Sequence, residues 1–288
     1  MAPVPLWSAT LAALTVATHG SRTQQAALLP SAVDGSSRLA LALEEFGAAD
    51  PAAPSCTAAP DGDGWRLTGD KAVVPSPFGA EHILVSATTA NGPGLFLVKC
   101  DADGVSWEQT ETTTRDLAGH LTLSGAAAEP VGMPEDDVLN WTLRHAAVCL
   151  AAIQVGVAEG ALRLAATYTS EREQFGRPLA TFQSLQHHLA NCYIDIDAMR
   201  VTLWQAVTSL EDGAGTARAV LVATWWARQA GLDVVHRVQH VHGGIGVDID
   251  YPVHRFFLWG KQISSTLGGP AAALAELGAV LAVEEVAS

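Results

Sequence analysis

QHVHGGIGVDIDYPVHRFF, Gln239 to Phe257, closes an apolar segment on two glycines, with His240 and His242 before them and Arg255 after. Three chemistries use this vocabulary. A metal site would draw on His236 and His240, i,i+4 neighbours on a helix, but no Glu lies between them and no third ligand stands out. A Rossmann turn needs G-x-G-x-x-G after a strand, whereas this pair of glycines follows a helical pattern. The third is a loop in which Gly243 and Gly244 let backbone N–H groups approach an oxygen-rich ligand.

A second stretch has a similar character. In SEREQFGRPLATFQ, Ser170 to Gln183, Arg172 and Arg177 flank Phe175–Gly176, and a helical pattern follows. A guanidinium, a glycine that admits close approach and a nearby helix end together suit a phosphate. Taken alone, the same residues also describe a loop with solvated arginines.

Outward from these stretches the chain falls into three regions. Residues 1–45 carry helical patterns in LWSATLAALTVATH and SSRLALALEEF, with LLPSAVDGSS as a break between them. Residues 46–132 hold short alternating runs, among them GWRLTGDKAVV, HILVSATTA and GLFLVKCD, separated by PDGDG, NGPG and DADG. That spacing predicts an antiparallel β-barrel or sandwich. Residues 133–288 predict four long helices, starting near Glu135, Pro178, Ala217 and Ala271, as a C-terminal four-helix bundle. The fold class expected is α+β.

Composition limits the partners. The 288 residues carry 49% hydrophobic and 16% charged residues and a net charge of −14, which describes a globular chain and argues against nucleic acid or an anionic membrane as partner. An apolar run of the ~18 residues that a membrane span needs is not expected, because Gln154 and Glu159 interrupt the best candidate. Cys56, Cys100, Cys149 and Cys192 show no CxxC pair and read as thiols in a reducing compartment. The N-terminal apolar run lacks a preceding Lys or Arg and an A-x-A signal, so the cytoplasm is the expected location.

REQFGRPLATFQ, followed some sixty residues later by QHVHGGIG, resembles the C-terminal half of the acyl-CoA dehydrogenase family. GDGWRLTGDKAVV and GAEHILVSATT resemble its middle β-domain, and AAIQVGVAEGALRLAATYTSEREQFG its first bundle helix. The resemblance runs from about residue 40 to the end. It implies FAD as cofactor and α,β-desaturation of an acyl-CoA thioester, in which a Glu removes the α proton and the flavin takes the β hydride. It also implies a flavin at a subunit interface, with one chain holding the ring and its neighbour reaching across. The reaching set here would be Arg172, Phe175, Gln183, His240, Gly243 and Gly244. The family usually has Gln where His240 stands, with Gln239 beside it here.

Other family positions are altered. LEEFGAAD, Leu43 to Asp50, keeps a trace of the Thr-Glu-Pro-Gly-Ala-Gly-Ser-Asp motif. After Lys71, Val73 and Pro75 occupy the aromatic and Thr positions that face the flavin ring. The two positions at which members carry the catalytic Glu hold Leu267 and Ala146, so no catalytic residue is expected in this chain. His145 beside Ala146 points about 100° away from it on a helix. Fewer residues precede the β-domain than in ordinary members, implying truncated N-terminal helices.

What a subunit needs for its own site is lost, and what it lends to a neighbour persists. This pattern resembles the short subunit of heterotetrameric acyl-CoA dehydrogenases of actinobacterial steroid catabolism. It implies a full-length catalytic partner in an α2β2 assembly, a bulky steroid-derived CoA thioester as substrate, and an electron-transfer flavoprotein as acceptor. Two rivals are a self-sufficient homomeric dehydrogenase with an unrecognised base, and a scaffold subunit without flavin.

Overall fold

The computed structural model describes residues 6–47, 50–132, 136–213 and 215–287. The chain divides into two compact units, one ending at Ala146 and the other beginning at Ala147, with the division inside one long helix.

The first unit opens with α1 (Leu6–His19) and α2 (Arg22–Asp34). Ser21 starts α2 with a capping box: its hydroxyl accepts from Gln24 N at 3.2 Å and Gln24 Oε1 accepts from Ser21 N at 2.9 Å. The expected break at LLPSAVDGSS is instead the second half of α2. Pro30 is accommodated inside the helix, which ends only at Gly35 in the left-handed region (φ 79°).

The expected helix over SSRLALALEEF is also corrected. Leu39–Ala42 form strand β1, with all four residues buried. A short, wholly apolar run carries no period that separates strand from helix, and here pairing with the barrel decides. The strands β2 (Thr57–Asp61), β3 (Gly64–Pro75), β4 (His82–Thr89), β5 (Gly92–Lys99), β6 (Val105–Glu111) and β7 (Leu117–Pro130) follow. They close in the order β4–β2–β3–β7–β5, with β5 returning to β4, and β6 adds to β7 outside the ring. Most pairings are antiparallel; β1 joins β4 in parallel, Leu39 opposite His82. Leu67, Ile83, Val85 and Leu121 fill the interior and are fully buried, each stabilising the fold by roughly 1.5–3 kcal/mol.

From Ala147 onward the chain is helical. Helix α3 (Val138–Glu171) enters this unit and ends at a hairpin of two short strands, β8 (Glu173–Gln174) and β9 (Arg177–Pro178). Then come α4 (Gln183–Asp212), α5 (Thr216–His242), α6 (Val253–Ser265) and α7 (Pro270–Ala287). Helix α6 is an element beyond the four expected. It covers VHRFFLWGKQISS, whose aromatic clustering hides a strongly one-sided apolar pattern.

Partly and fully buried polar contacts fix the helix pairs. Arg237 of α5 donates to Asp195 of α4, and Arg200 of α4 to Glu159 of α3. Gln154 of α3 is fully buried and donates to Gly260 O of α6 at 3.3 Å. Its amide fills the notch left by Gly231, where a methyl group would clash with it.

By length and composition α3 and the segment Val253–Val283 could cross a membrane, which corrects the expectation that no apolar run is long enough. Gln154 and Glu159 do not break the apolar run of α3, and both have partners within the bundle. The turn between α6 and α7 interrupts the second segment.

Candidate functional site

The hairpin after α3 is tightly specified. Phe175 (φ 54°) and Gly176 (φ 77°) are both left-handed, the combination that a two-residue type I′ turn requires. Glu173 pairs with Pro178 and Gln174 with Arg177. Arg172 follows α3, donating its N–H to Tyr168 O at 2.9 Å and accepting from Leu179 N at 2.8 Å, so its backbone is fixed while its side chain is exposed. Phe175 is 92% exposed at the turn. The Arg177 guanidinium lies 4.2 Å from the centre of the Phe182 ring, and Phe175 meets that ring edge-on at 6.2 Å. Gln183 is exposed at the first position of α4.

Helix α5 ends against the same part of the bundle. His242 stacks on Tyr168 at 4.6 Å, and Tyr251 approaches its ring at 5.4 Å. His242 Nδ1 donates to Val238 O at 2.7 Å, leaving Nε2 buried with no partner among the described residues. Burial holds this imidazole below its usual pKa, although the Val238 bond opposes that shift. Beyond it the chain turns at Gly243 (φ 60°, ψ −139°), a conformation open to glycine. Methyl groups at Gly243 and Gly244 would meet nothing within 4 Å, so this backbone faces open space. Gln239 is used internally: its Nε2 donates to Gly246 O and ties the loop back to α5. His240 instead is exposed, its ring 6.1 Å from that of His188 on α4.

The six residues expected to reach outward therefore gather at one end of the bundle. Arg172 and Gln183 flank the hairpin, and the Tyr168–His242 stack brings the His240–Gly244 loop beside it. Guanidinium, amide and imidazole donors stand around an open glycine backbone, a donor set that fits the phosphates and hydroxyls of a dinucleotide.

The first unit has a different character. Glu45 and Lys71 form a buried pair at 2.6 Å, and Lys71 also donates to Ser86 Oγ at 2.8 Å. Glu45 accepts from Ser55 N at 2.7 Å and Cys56 N at 3.0 Å, and from the Ser55 hydroxyl. Burial alone would raise the Glu45 pKa, but these bonds overcome it and hold the carboxyl at about 2. Burial depresses the Lys71 amine, opposed by Glu45. Val73 sits left-handed (φ 48°) at a bulge, and its N–H donates to His120 Nδ1 at 3.2 Å; Phe46 covers that imidazole at 4.8 Å. Within LEEFGAAD, Ala48 and Ala49 lie outside the described residues.

Neither expected base position offers a carboxylate. Ala146 is fully buried. Leu267 is buried in the left-handed region (φ 57°), in a turn whose carbonyls receive Arg228: Thr266 O at 3.0 Å and Leu267 O at 2.9 Å. His145 lies flat on Trp141, ring centres 3.7 Å apart, with Nδ1 donating to Trp141 O at 2.7 Å. Burial lowers its pKa. Arg228 and His120 carry roles that the sequence reading does not single out. A buried Arg in an apolar helix was the one available signal among them.

The acyl-CoA dehydrogenase C-terminal domain family matches residues 137–279. Acyl-CoA dehydrogenase FadE27 of Mycobacterium tuberculosis is 39% identical over 294 residues, spanning 98% of this chain and 77% of the relative. The chain belongs to the acyl-CoA dehydrogenase family. Membership makes it part of an FAD-dependent class of oxidoreductases that act on CH–CH bonds. A chain of the Tcur3481–Tcur3483 steroid ACAD superposes with a TM-score of 0.95 at 63% identity, covering 100% of this acyl-CoA dehydrogenase chain and 78% of that one. A chain of the ChsE4–ChsE5 complex from Mycobacterium tuberculosis superposes with a TM-score of 0.91 at 38% identity, covering 98% and 76%. Both similar structures pair two differently named chains.

Proposed function

We propose that this chain is the non-base-carrying subunit of a heteromeric acyl-CoA dehydrogenase, lending its bundle-end loops to an FAD whose ring and catalytic Glu belong to a full-length partner. The observation that carries the reading is a contrast: an exposed, fully built donor set at the bundle end, with Leu267 and Ala146 at the base positions.

In this assembly Arg172 pairs with a phosphate oxygen, and the Gly243–Gly244 backbone admits the dinucleotide closely. Gln183 and His240 donate hydrogen bonds, and Phe175 packs an apolar face against the interface. Bound FAD supplies the hydride acceptor for desaturation. The proton is removed by the partner's carboxylate, since Leu267 and Ala146 hold the two base positions here. The likeness to a steroid ACAD and to a two-chain complex supports a bulky, steroid-derived CoA thioester as substrate and a heteromeric partner, in an assembly we take to be α2β2. An electron-transfer flavoprotein as acceptor and a cytoplasmic location complete the proposal.

Native mass spectrometry of the tagged chain, purified from its own host, tests this. Two chain types with two FAD per tetramer is the expected result. A homo-oligomer with one FAD per chain overturns it in favour of a self-sufficient enzyme.

A further inference from the structure

Helices α3 and α5 meet near their ends through one pair of rings. Tyr168, in the last turn of α3, lies flat on His242, the last residue of α5, with 4.6 Å between ring centres and 25° between planes. Tyr251, from the segment before α6, is tilted against His242 at 5.4 Å and edge-on to Tyr168 at 6.2 Å. Its own carbonyl accepts from His254 Nδ1 at 2.6 Å, which holds this third ring in place. His242 is only 3% exposed. Its nitrogens do not join the two helices. A carbonyl can only accept, so the ring proton sits on Nδ1, which donates to Val238 O within α5 itself. Nε2 is then an acceptor, buried and without a partner among the described residues, which costs stability. The Tyr168 hydroxyl donates to His242 O at 3.5 Å, the weak end of hydrogen bonding. What joins α5 to α3 here is the flat face of the imidazole.

Each ring belongs to a residue that anchors one of the outward-reaching loops. Tyr168 O accepts the Arg172 N–H at 2.9 Å, one helical turn on. His242 is bonded to Gly243, where the chain turns at φ 60° into the open glycine backbone. The stack therefore sets the separation between the backbone that carries the Arg172 guanidinium and the backbone of the Gly243–Gly244 loop. Both must meet one dinucleotide at the same time, and groups held in place before binding lose little freedom on binding. We infer that His242 is a positioning residue: its stack on Tyr168 joins the Arg172 hairpin and the Gly243–Gly244 loop into one unit, and the flavin dinucleotide is retained by that unit and not by two independent loops. The inference rests on the flavin-lending reading above and adds the coupling between the loops. It does not require His242 to touch the cofactor.

The test is flavin retention by the full chain in its native assembly, purified from its own host and followed by the fluorescence of FAD released on dialysis. His242→Leu removes the flat ring and should weaken retention roughly tenfold, the scale of one aromatic pair. His242→Phe keeps the ring without its nitrogens and should restore retention to the wild-type level. An equal loss in both variants overturns the inference, because the nitrogens would then carry the effect. Should His242→Leu fail to fold, Tyr168→Leu set beside Tyr168→Phe makes the same comparison from the other ring. The coupling is read from the double variant Arg172→Ala/His242→Leu. In one unit its loss is smaller than the product of the two single losses, and a loss equal to that product overturns the inference. If Arg172→Ala keeps its flavin, the flavin-lending reading falls and this inference with it. If Arg172→Ala releases flavin while His242→Leu holds it, the positioning role of His242 alone falls.

Discussion

The Glu45–Lys71 region and the bundle end spend their polar groups in opposite directions. In the first, the carboxylate, amine, hydroxyls and peptide N–H groups satisfy one another inside the barrel unit. In the second, Arg172, Gln183, His240 and the Gly243–Gly244 backbone are exposed on elements whose own backbones are firmly held. Residues of the first kind make a fold. Residues of the second kind make a fold useful to something outside it.

The contrast can be broken by single changes. The largest effect is expected for Glu45→Ala, which strands a buried Lys71 charge and should cost about 3–5 kcal/mol in denaturant unfolding. Flavin content per folded assembly should stay unchanged, and loss of flavin without loss of stability would refute the internal role. The pH dependence has a definite sign. The hydrogen bonds to Glu45 hold its carboxyl at about 2 in the fold, against an ordinary value of 4.5. Its contribution is therefore complete above pH 4.5 and lost as pH falls toward 2. The wild type should lose more stability than Glu45→Ala over that window.

Arg172→Ala should do the reverse. Removing one charge-assisted hydrogen bond, about 1.5–3 kcal/mol, should weaken flavin retention by roughly 10- to 150-fold. Unfolding should move by less than about 0.5 kcal/mol, as for other exposed positions. Retained flavin would favour a scaffold role. Gly176→Ala strains the left-handed turn by about 1–2 kcal/mol, and a smaller loss of flavin retention should follow. The smallest effect is expected for His145→Gln: the pH–rate profile of the holo-assembly should not shift, because this imidazole is stacked on Trp141. Loss of the acidic limb, where the rate falls as a catalytic base is protonated, would restore His145 as a base.

Much of this was readable in the sequence because it rests on local chemistry. The glycine pair, the Phe175–Gly176 turn and the alternation of Ile83, Val85 and Ala87 each report on their own neighbourhood. What was missed depended on distant partners. Leu39–Ala42 became a strand because β4 offered an edge, and Pro30 stayed helical within α2. Helix α6 was obscured by its aromatics. That Gln239 turns inward and His240 outward follows from the Gly246 carbonyl, which no spacing rule predicts. The internal use of Glu45 required knowing that Lys71 lay across the barrel.

The hairpin at Phe175 has a kinetic consequence. Its backbone is already locked by two left-handed residues and a strand pair, and its ring rests against Phe182. A contact residue frozen before docking loses little conformational freedom when it docks. In the proposed assembly its benefit falls on residence time more than on encounter. Loosening the turn should therefore shorten the lifetime of the complex while leaving the speed with which it forms almost unchanged.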